Sequence, residues 1–184
     1  PTRAFDLTRR IATLRFERTP ARRIDCGAGF AAGFERALDE ARVALANEML
    51  GGEERVVETA VAYAKSRKQF GRAIGSFQAI KHKCADLWIA LEGSRAASWV
   101  AAEAVDAGDP DLPMLAAIAQ AQLSDAYVQA AVENAQIHGG VGFTWEYDAH
   151  LYLRRAKSSE ILLGDAAAHR ERAVQALVAR EASK

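Results

Sequence analysis

Three long stretches of the chain place apolar or small residues every three or four positions. Between Glu35 and Lys68, the residues Leu45, Met49, Gly52, Val56, Ala60 and Tyr63 fall on one helical face. Ile80, Cys84, Leu87, Leu91, Ser94, Ser98 and Val105 do the same between Ser76 and Ala107. A third stripe, Leu112, Ala116, Ala119, Leu123, Ala126, Ala130 and Ile137, runs between Asp111 and His138. Gly108-Asp109-Pro110 stops the second helix and opens the third. A fourth region, Tyr147 to Ala182, reads as two helical pieces with a break near Gly164-Asp165. A helix of about thirty residues rises roughly 45 Å, well beyond the usual three turns. Long helices with short joints and small residues on their stripes predict an all-α fold, an up-down four-helix bundle.

The first part of the chain departs from this pattern. In residues 7–24, Thr13, Arg15 and Glu17 alternate with Leu14 and Phe16, the period of a half-buried strand. A lone strand is marginal in water, and no second strand-like run follows. Residues 1–24 are therefore expected to be the terminal strands of a truncated β domain, a short N-terminal β remnant. Residues 25–34 are Gly-rich and read as a linker, leaving 35–184 for the bundle. The chain opens at Pro1-Thr2-Arg3 without an initiator Met and is expected to be a processed product or a piece of something longer.

Composition narrows the function classes. Of 184 residues, 50% are hydrophobic and 26% charged, with 24 basic side chains against 24 acidic ones. The balance argues against a nucleic-acid binder, although six arginines lie between Arg9 and Arg23. No apolar run reaches the roughly 18 residues needed to span a bilayer, and no signal peptide is visible. Cys26 and Cys84 form no CxxC, and the expected location is a reducing cytoplasm.

A helical bundle invites a carboxylate-bridged metal site, which needs Glu-x-x-His pairs. The residues three before His82, His138, His150 and His169 are Ala79, Ala135, Tyr147 and Ala166, so no metal is expected. The segment QIHGGVGFTWEY, residues 136–147, carries Gly139, Gly140 and Gly142 but has Trp145 where a third dinucleotide-binding glycine belongs. It follows a helix rather than a strand, which excludes a Rossmann phosphate loop. Its glycines serve either a turn or the close approach of a ligand to the backbone. The cluster SRKQFGRAIGSFQAIKH, residues 66–82, joins the first two helices. It is either a charged loop or, with Arg67, Gln69, Phe70 and Gln78, a grip for a phosphorylated planar cofactor.

AYAKSRKQFGRAIGSFQAIKHKCADL and QIHGGVGFTWEYDAHLYLRRAK resemble, in order and at the right separation, two signatures of the acyl-CoA dehydrogenase family. The resemblance runs from about Phe5 to the end of the chain and implies the family's C-terminal bundle, with residues 5–24 as the tail of its middle β domain. It implies an enzyme that oxidises an acyl-CoA thioester to the 2-enoyl-CoA with FAD as acceptor. The flavin site would be shared between subunits of a homo- or hetero-oligomer, a dimer or tetramer, with an electron-transfer flavoprotein as a further partner. By resemblance, Arg67 and Phe70 contact the FAD pyrophosphate and ring system, with Gln69 nearby. Gln78 lies toward the adenine end, and Gln136, Gly139 and Gly140 reach the adenosine diphosphate. Arg42 matches an arginine near the acyl-CoA pocket.

The reaction needs a carboxylate to take the α-proton. One family seat for it follows Arg154 by nine residues, where this chain has Leu163, and the other precedes Arg42, where it has Ala41. Neither can accept a proton. Two explanations follow. The subunit is catalytically mute, supplying flavin and oligomer contacts to a partner that carries the base, or Glu160 or Asp165 substitutes. The plain roles of those two acids are a solvated helix position and a helix N-cap. Asp165 stands at the family's usual Thr and Ala167 at a site that is often polar. A competing expectation, of a different class, is a non-catalytic helical scaffold that no longer binds flavin. The fragment alone is expected to be inactive.

Overall fold

The computed structural model describes residues 2, 4–24 and 27–182. Among these residues five α-helices follow one another: α1 (Phe30–Ser66), α2 (Gln78–Ala107), α3 (Leu112–His138), α4 (Ala149–Ile161) and α5 (Ala166–Ala182). The last two share the fourth position of the bundle and part at Leu162–Asp165, where the sequence placed the break. The fold is the expected all-α bundle.

The stripes became the core. Leu45, Met49, Val56 and Ala60 on α1, Leu87 and Leu91 on α2, and all seven stripe positions of α3 are buried. Helix α3 packs against every other helix. Its contacts fix the topology. Gln120 bonds to the Arg42 carbonyl at 2.7 Å and Tyr63 stacks on His138 at 4.1 Å, so α1 and α3 run parallel. Arg95 of α2 meets Glu54 at 2.7 Å and Arg36 donates to the Val105 carbonyl, so α2 runs antiparallel to α1.

Two ends differ from the sequence expectation. Helix α1 starts at Phe30, five residues before Glu35, inside the presumed linker. The run Phe30-Ala31-Ala32 is compatible with helix, and the Phe30 and Phe34 rings stack one turn apart at 5.9 Å. The arm is the second difference. Among the described residues of 4–24 no strand forms, and the two-stranded antiparallel sheet of this chain lies elsewhere, β1 (Lys68–Gln69) with β2 (Arg72–Ala73). A strand period without a ladder partner yields only extended chain. The arm is fastened instead by charge. Arg9 pairs with Glu48 of α1 at 2.6 Å, and Arg155 of α4 reaches both Glu48 at 3.3 Å and Asp6 at 3.4 Å. Burial opposes ionisation of Asp6, but two bonds from Thr8 and the Arg155 and Arg9 guanidiniums outweigh it and hold the carboxyl below its usual range.

Candidate functional site

Because α1 and α3 run parallel, the loops that follow them emerge at the same end of the bundle. Tyr63 near the end of α1 stacks on His138 at the end of α3, and Tyr147 packs edge-on against both rings, at 6.1 Å from Tyr63 and 5.5 Å from His138. His138 Nδ1 lies 2.8 Å from the Asn134 carbonyl, which assigns its proton to that nitrogen. This aromatic block joins the two glycine-bearing junctions that the sequence shows as separate.

At the first junction the chain turns as a two-residue hairpin. Phe70 and Gly71 both have positive φ, 53° and 77°, the backbone of a tight antiparallel reversal. Phenylalanine is strained there, and its ring is 90% exposed. It meets Phe77 edge-on at 6.2 Å, and the Arg72 guanidinium covers the Phe77 ring at 4.0 Å. Gly75 presses the hairpin onto α1, because a Cβ there would lie 2.9 Å from the Ala64 carbonyl oxygen. Arg67, Gln69 and Gln78 are all exposed beside it.

The second junction leaves α3 through Gly139, at φ +65°, into a short 3-10 turn, Gly139–Phe143. Gln136, Gly139 and Gly140 are exposed. A Cβ added at Gly139 or Gly140 meets nothing within 4 Å, so the chain's own packing does not explain the missing side chain at Gly140. All seven residues named for cofactor contact are thus exposed: one arginine, three glutamines, one phenylalanine and two glycines.

The other named residues lie along the opposite reach of α1. Arg42 is buried, its Nη1 bonded to Asp39 at 2.7 Å, and Asp39 also takes Arg172 of α5 at 3.1 Å. Ala41 is exposed. Leu163 lies in the α4–α5 turn at φ +64°, beside Gly164 at +115°. Each acid near it has a local partner. Glu160 pairs with Lys157 one turn back, and Asp165 Oδ1 accepts the Ala168 N–H at 2.8 Å as the cap of α5.

Sequence reading did not anticipate three features. Glu53 stands on the buried stripe of α1 with no exposure, and both carboxyl oxygens lack a hydrogen bond of normal geometry. Its position between Met49 and Val56 was the available signal. His169 is buried under the α4–α5 turn. An open cleft of about 380 Å³ lies between the arm, α1, α3 and α4, with Tyr127, Tyr152 and Arg155 in its wall. Among the described residues no three His, Cys, Asp or Glu side chains converge, and no helix is long and apolar enough to cross a membrane.

This architecture has counterparts. Residues 27–178 match the family model described as acyl-CoA dehydrogenase, C-terminal domain. The chain belongs to the acyl-CoA dehydrogenase family. It is 44% identical to acyl-CoA dehydrogenase IpdE2 of Mycobacterium tuberculosis over 163 residues, 89% of this chain and 46% of that protein. The butyryl-CoA dehydrogenase structure from Megasphaera elsdenii superposes with a TM-score of 0.77 at 34% identity, over 83% of this chain and 39% of that one. A chain in the structure of the electron transferring flavoprotein of Acidaminococcus fermentans superposes with a TM-score of 0.73 at 36% identity, over 76% of this chain and 37% of its own length. The chain therefore spans less than half the length of these relatives.

Proposed function

We propose that this chain is the part of an FAD-dependent acyl-CoA dehydrogenase that closes over the flavin of a neighbouring subunit and leaves proton abstraction to another polypeptide. The observation that carries the reading is the meeting of both junctions at one end of the bundle, where Arg67, Gln69, Phe70, Gln78, Gln136, Gly139 and Gly140 lie exposed. These residue types suit FAD. Arg67 can pair with a phosphate, Phe70 can stack on a planar ring, the glutamines can bond to carbonyls and ring nitrogens, and the bare backbone at Gly140 admits a ligand edge.

Bound FAD supplies the acceptor for the hydride that leaves the acyl β-carbon. The α-proton needs a base, and Leu163 and Ala41 cannot serve. Glu160 and Asp165 are engaged as ion-pair partner and helix cap. On this reading the product is a 2-enoyl-CoA, the assembly is a homo- or hetero-oligomer, and an electron-transfer flavoprotein and the cytoplasm are its natural setting. Residues 1–24 are the tail of a middle β domain, 25–34 a linker whose second half has joined α1, and 35–184 the C-terminal domain. Arg42, tied to Asp39, shapes the acyl-CoA side of α1 through packing.

Two measurements test this. Arg67→Ala in the full-length assembly should weaken FAD binding by on the order of tenfold or more, read from flavin absorbance after gel filtration. Unchanged occupancy would refute the contact. Replacing Glu160 and Asp165 together by Ala should leave the chemical step of the assembly in place. Its loss with FAD retained would mean that one of these acids is the base. A second reading, a helical interaction module without flavin, draws on α2, where Trp88 and Trp99 lie exposed. Absence of FAD from every assembly state would favour it.

A further inference from the structure

The α4–α5 turn rests on a group that no other part of the site uses. His169, in the first turns of α5, is 2% exposed, yet neither ring nitrogen makes a hydrogen bond of normal geometry. Above it lies the turn itself. A Cβ on Gly164 would stand 3.1 Å from His169 Nε2 and 3.4 Å from Cε1, so the turn's backbone lies directly on the imidazole. Around it, Arg42 and Arg172 share the carboxylate of Asp39, and the Nε of each guanidinium is buried without a partner. A leucine would fill this space without the cost of burying a polar ring.

The ring's charge state follows from its surroundings. Burial, then Arg42, then Arg172 push the imidazole pKa below its ordinary value, against weaker opposing effects of the Gly164 carbonyl and Asp165. At neutral pH the ring is uncharged and keeps one N–H and one lone pair. The turn needs such a support. Leucine is disfavoured at positive φ, and Leu163 holds 64° there without glycine's freedom. Asp165 fixes the exit by capping α5, and the Leu162 N–H holds the entry by bonding to Ser159 at 3.1 Å. In the middle, the Gly164 N–H reaches the Ile161 carbonyl only at 3.4 Å, and the imidazole packs against that same glycine.

We propose that His169 is a positioning residue: its ring, wedged between the Asp39–Arg42–Arg172 cluster and Gly164, holds the Leu163–Gly164 turn in its left-handed form and so fixes where residue 163 is presented. This deepens the flavin-site reading and rests on it only for what residue 163 faces.

Hydrogen–deuterium exchange mass spectrometry on the full-length protein with FAD reads the turn directly. In His169→Leu, which keeps the volume, exchange across residues 161–165 should rise on the order of tenfold while α3 stays protected. His169→Gln, which restores a donor and an acceptor, should return it toward the parent rate. Equal exchange in the parent and His169→Leu overturns the proposal, as does equal acceleration in both variants. Should neither variant fold, seen as lost protection in α3, the parent's own pH dependence decides, with imidazole C2–H exchange reporting the ring's titration. Amide exchange across residues 161–165 that rises beyond its intrinsic pH dependence as the ring protonates supports the proposal, and exchange that does not follow that titration overturns it. Flavin absorbance on the same samples separates the two readings. A parent without FAD whose turn still depends on His169 sinks the flavin site and supports the positioning role.

Discussion

Glu53→Gln should make the bundle more stable at pH 8 than the parent chain and remove the fall in stability that Glu53 imposes between about pH 4.5 and 7. Glu53 projects from α1 into the core, where it has no exposure. Burial is the largest influence and Glu54 adds to it, while Ser94 and Arg95 act the other way, leaving the carboxyl pKa raised to about 7. In the unfolded chain the group titrates at its ordinary value near 4.5. Between these two values the folded state binds more protons than the unfolded one, so stability falls as pH rises through this window. The integrated loss is about 3 kcal/mol. Glutamine keeps the shape and carries no charge to desolvate, so it avoids that loss. Thermal unfolding followed by far-UV circular dichroism at several pH values checks this. A parent whose midpoint is flat or rises between pH 5 and 7.5, or a glutamine variant with the same slope as the parent, would show that Glu53 is ionised and satisfied in the fold.

Leu123→Ala should cost about 3 kcal/mol and lower the unfolding midpoint by roughly 10 °C. Leu123 is fully buried on α3, the helix that touches all the others. The size of the effect comes from its neighbours. Along α3 half of the buried positions are alanine, Ala116, Ala119, Ala126, Ala130 and Ala131 among them. An alanine has no rotatable side chain to move into a void, so the cavity left by the leucine stays open. A core rich in larger residues would relax further and lose less. Chemical denaturation with the slope held constant measures this, and a loss below about 1 kcal/mol would mean that the helices close over the site.

The open hairpin and the closed core illustrate how far sequence reading reaches. The α3 stripe could be read directly because burial on a helix repeats with the helical period, and all seven positions named from it are buried. The same reading passed over Glu53, since a pattern search scores the apolar members of a stripe and passes over the polar one between them. It placed the start of α1 at Glu35 because Gly29 and Gly33 read as a linker, whereas the Phe30–Phe34 stack extends the helix across Gly33. It gave the arm strand character from a local alternation. A ladder needs a neighbour distant in sequence, and in this chain the arm meets α1 and α4 through side chains, chiefly ion pairs.

Local order decided what the sequence could determine alone: the helices, their breaks at Gly108 and Gly164, the small-residue faces, and the two signatures that mark the family. Helix periodicity and turn chemistry act over a few residues and leave their mark there. Only the tertiary structure decided that the loops after α1 and α3 share one end of the bundle, joined by Tyr63, His138 and Tyr147. It alone placed His169 beneath Gly164 and an unpaired acid in the core. Each of these depends on which helices run parallel and on what faces what across the bundle, and such long-range contacts are set by packing.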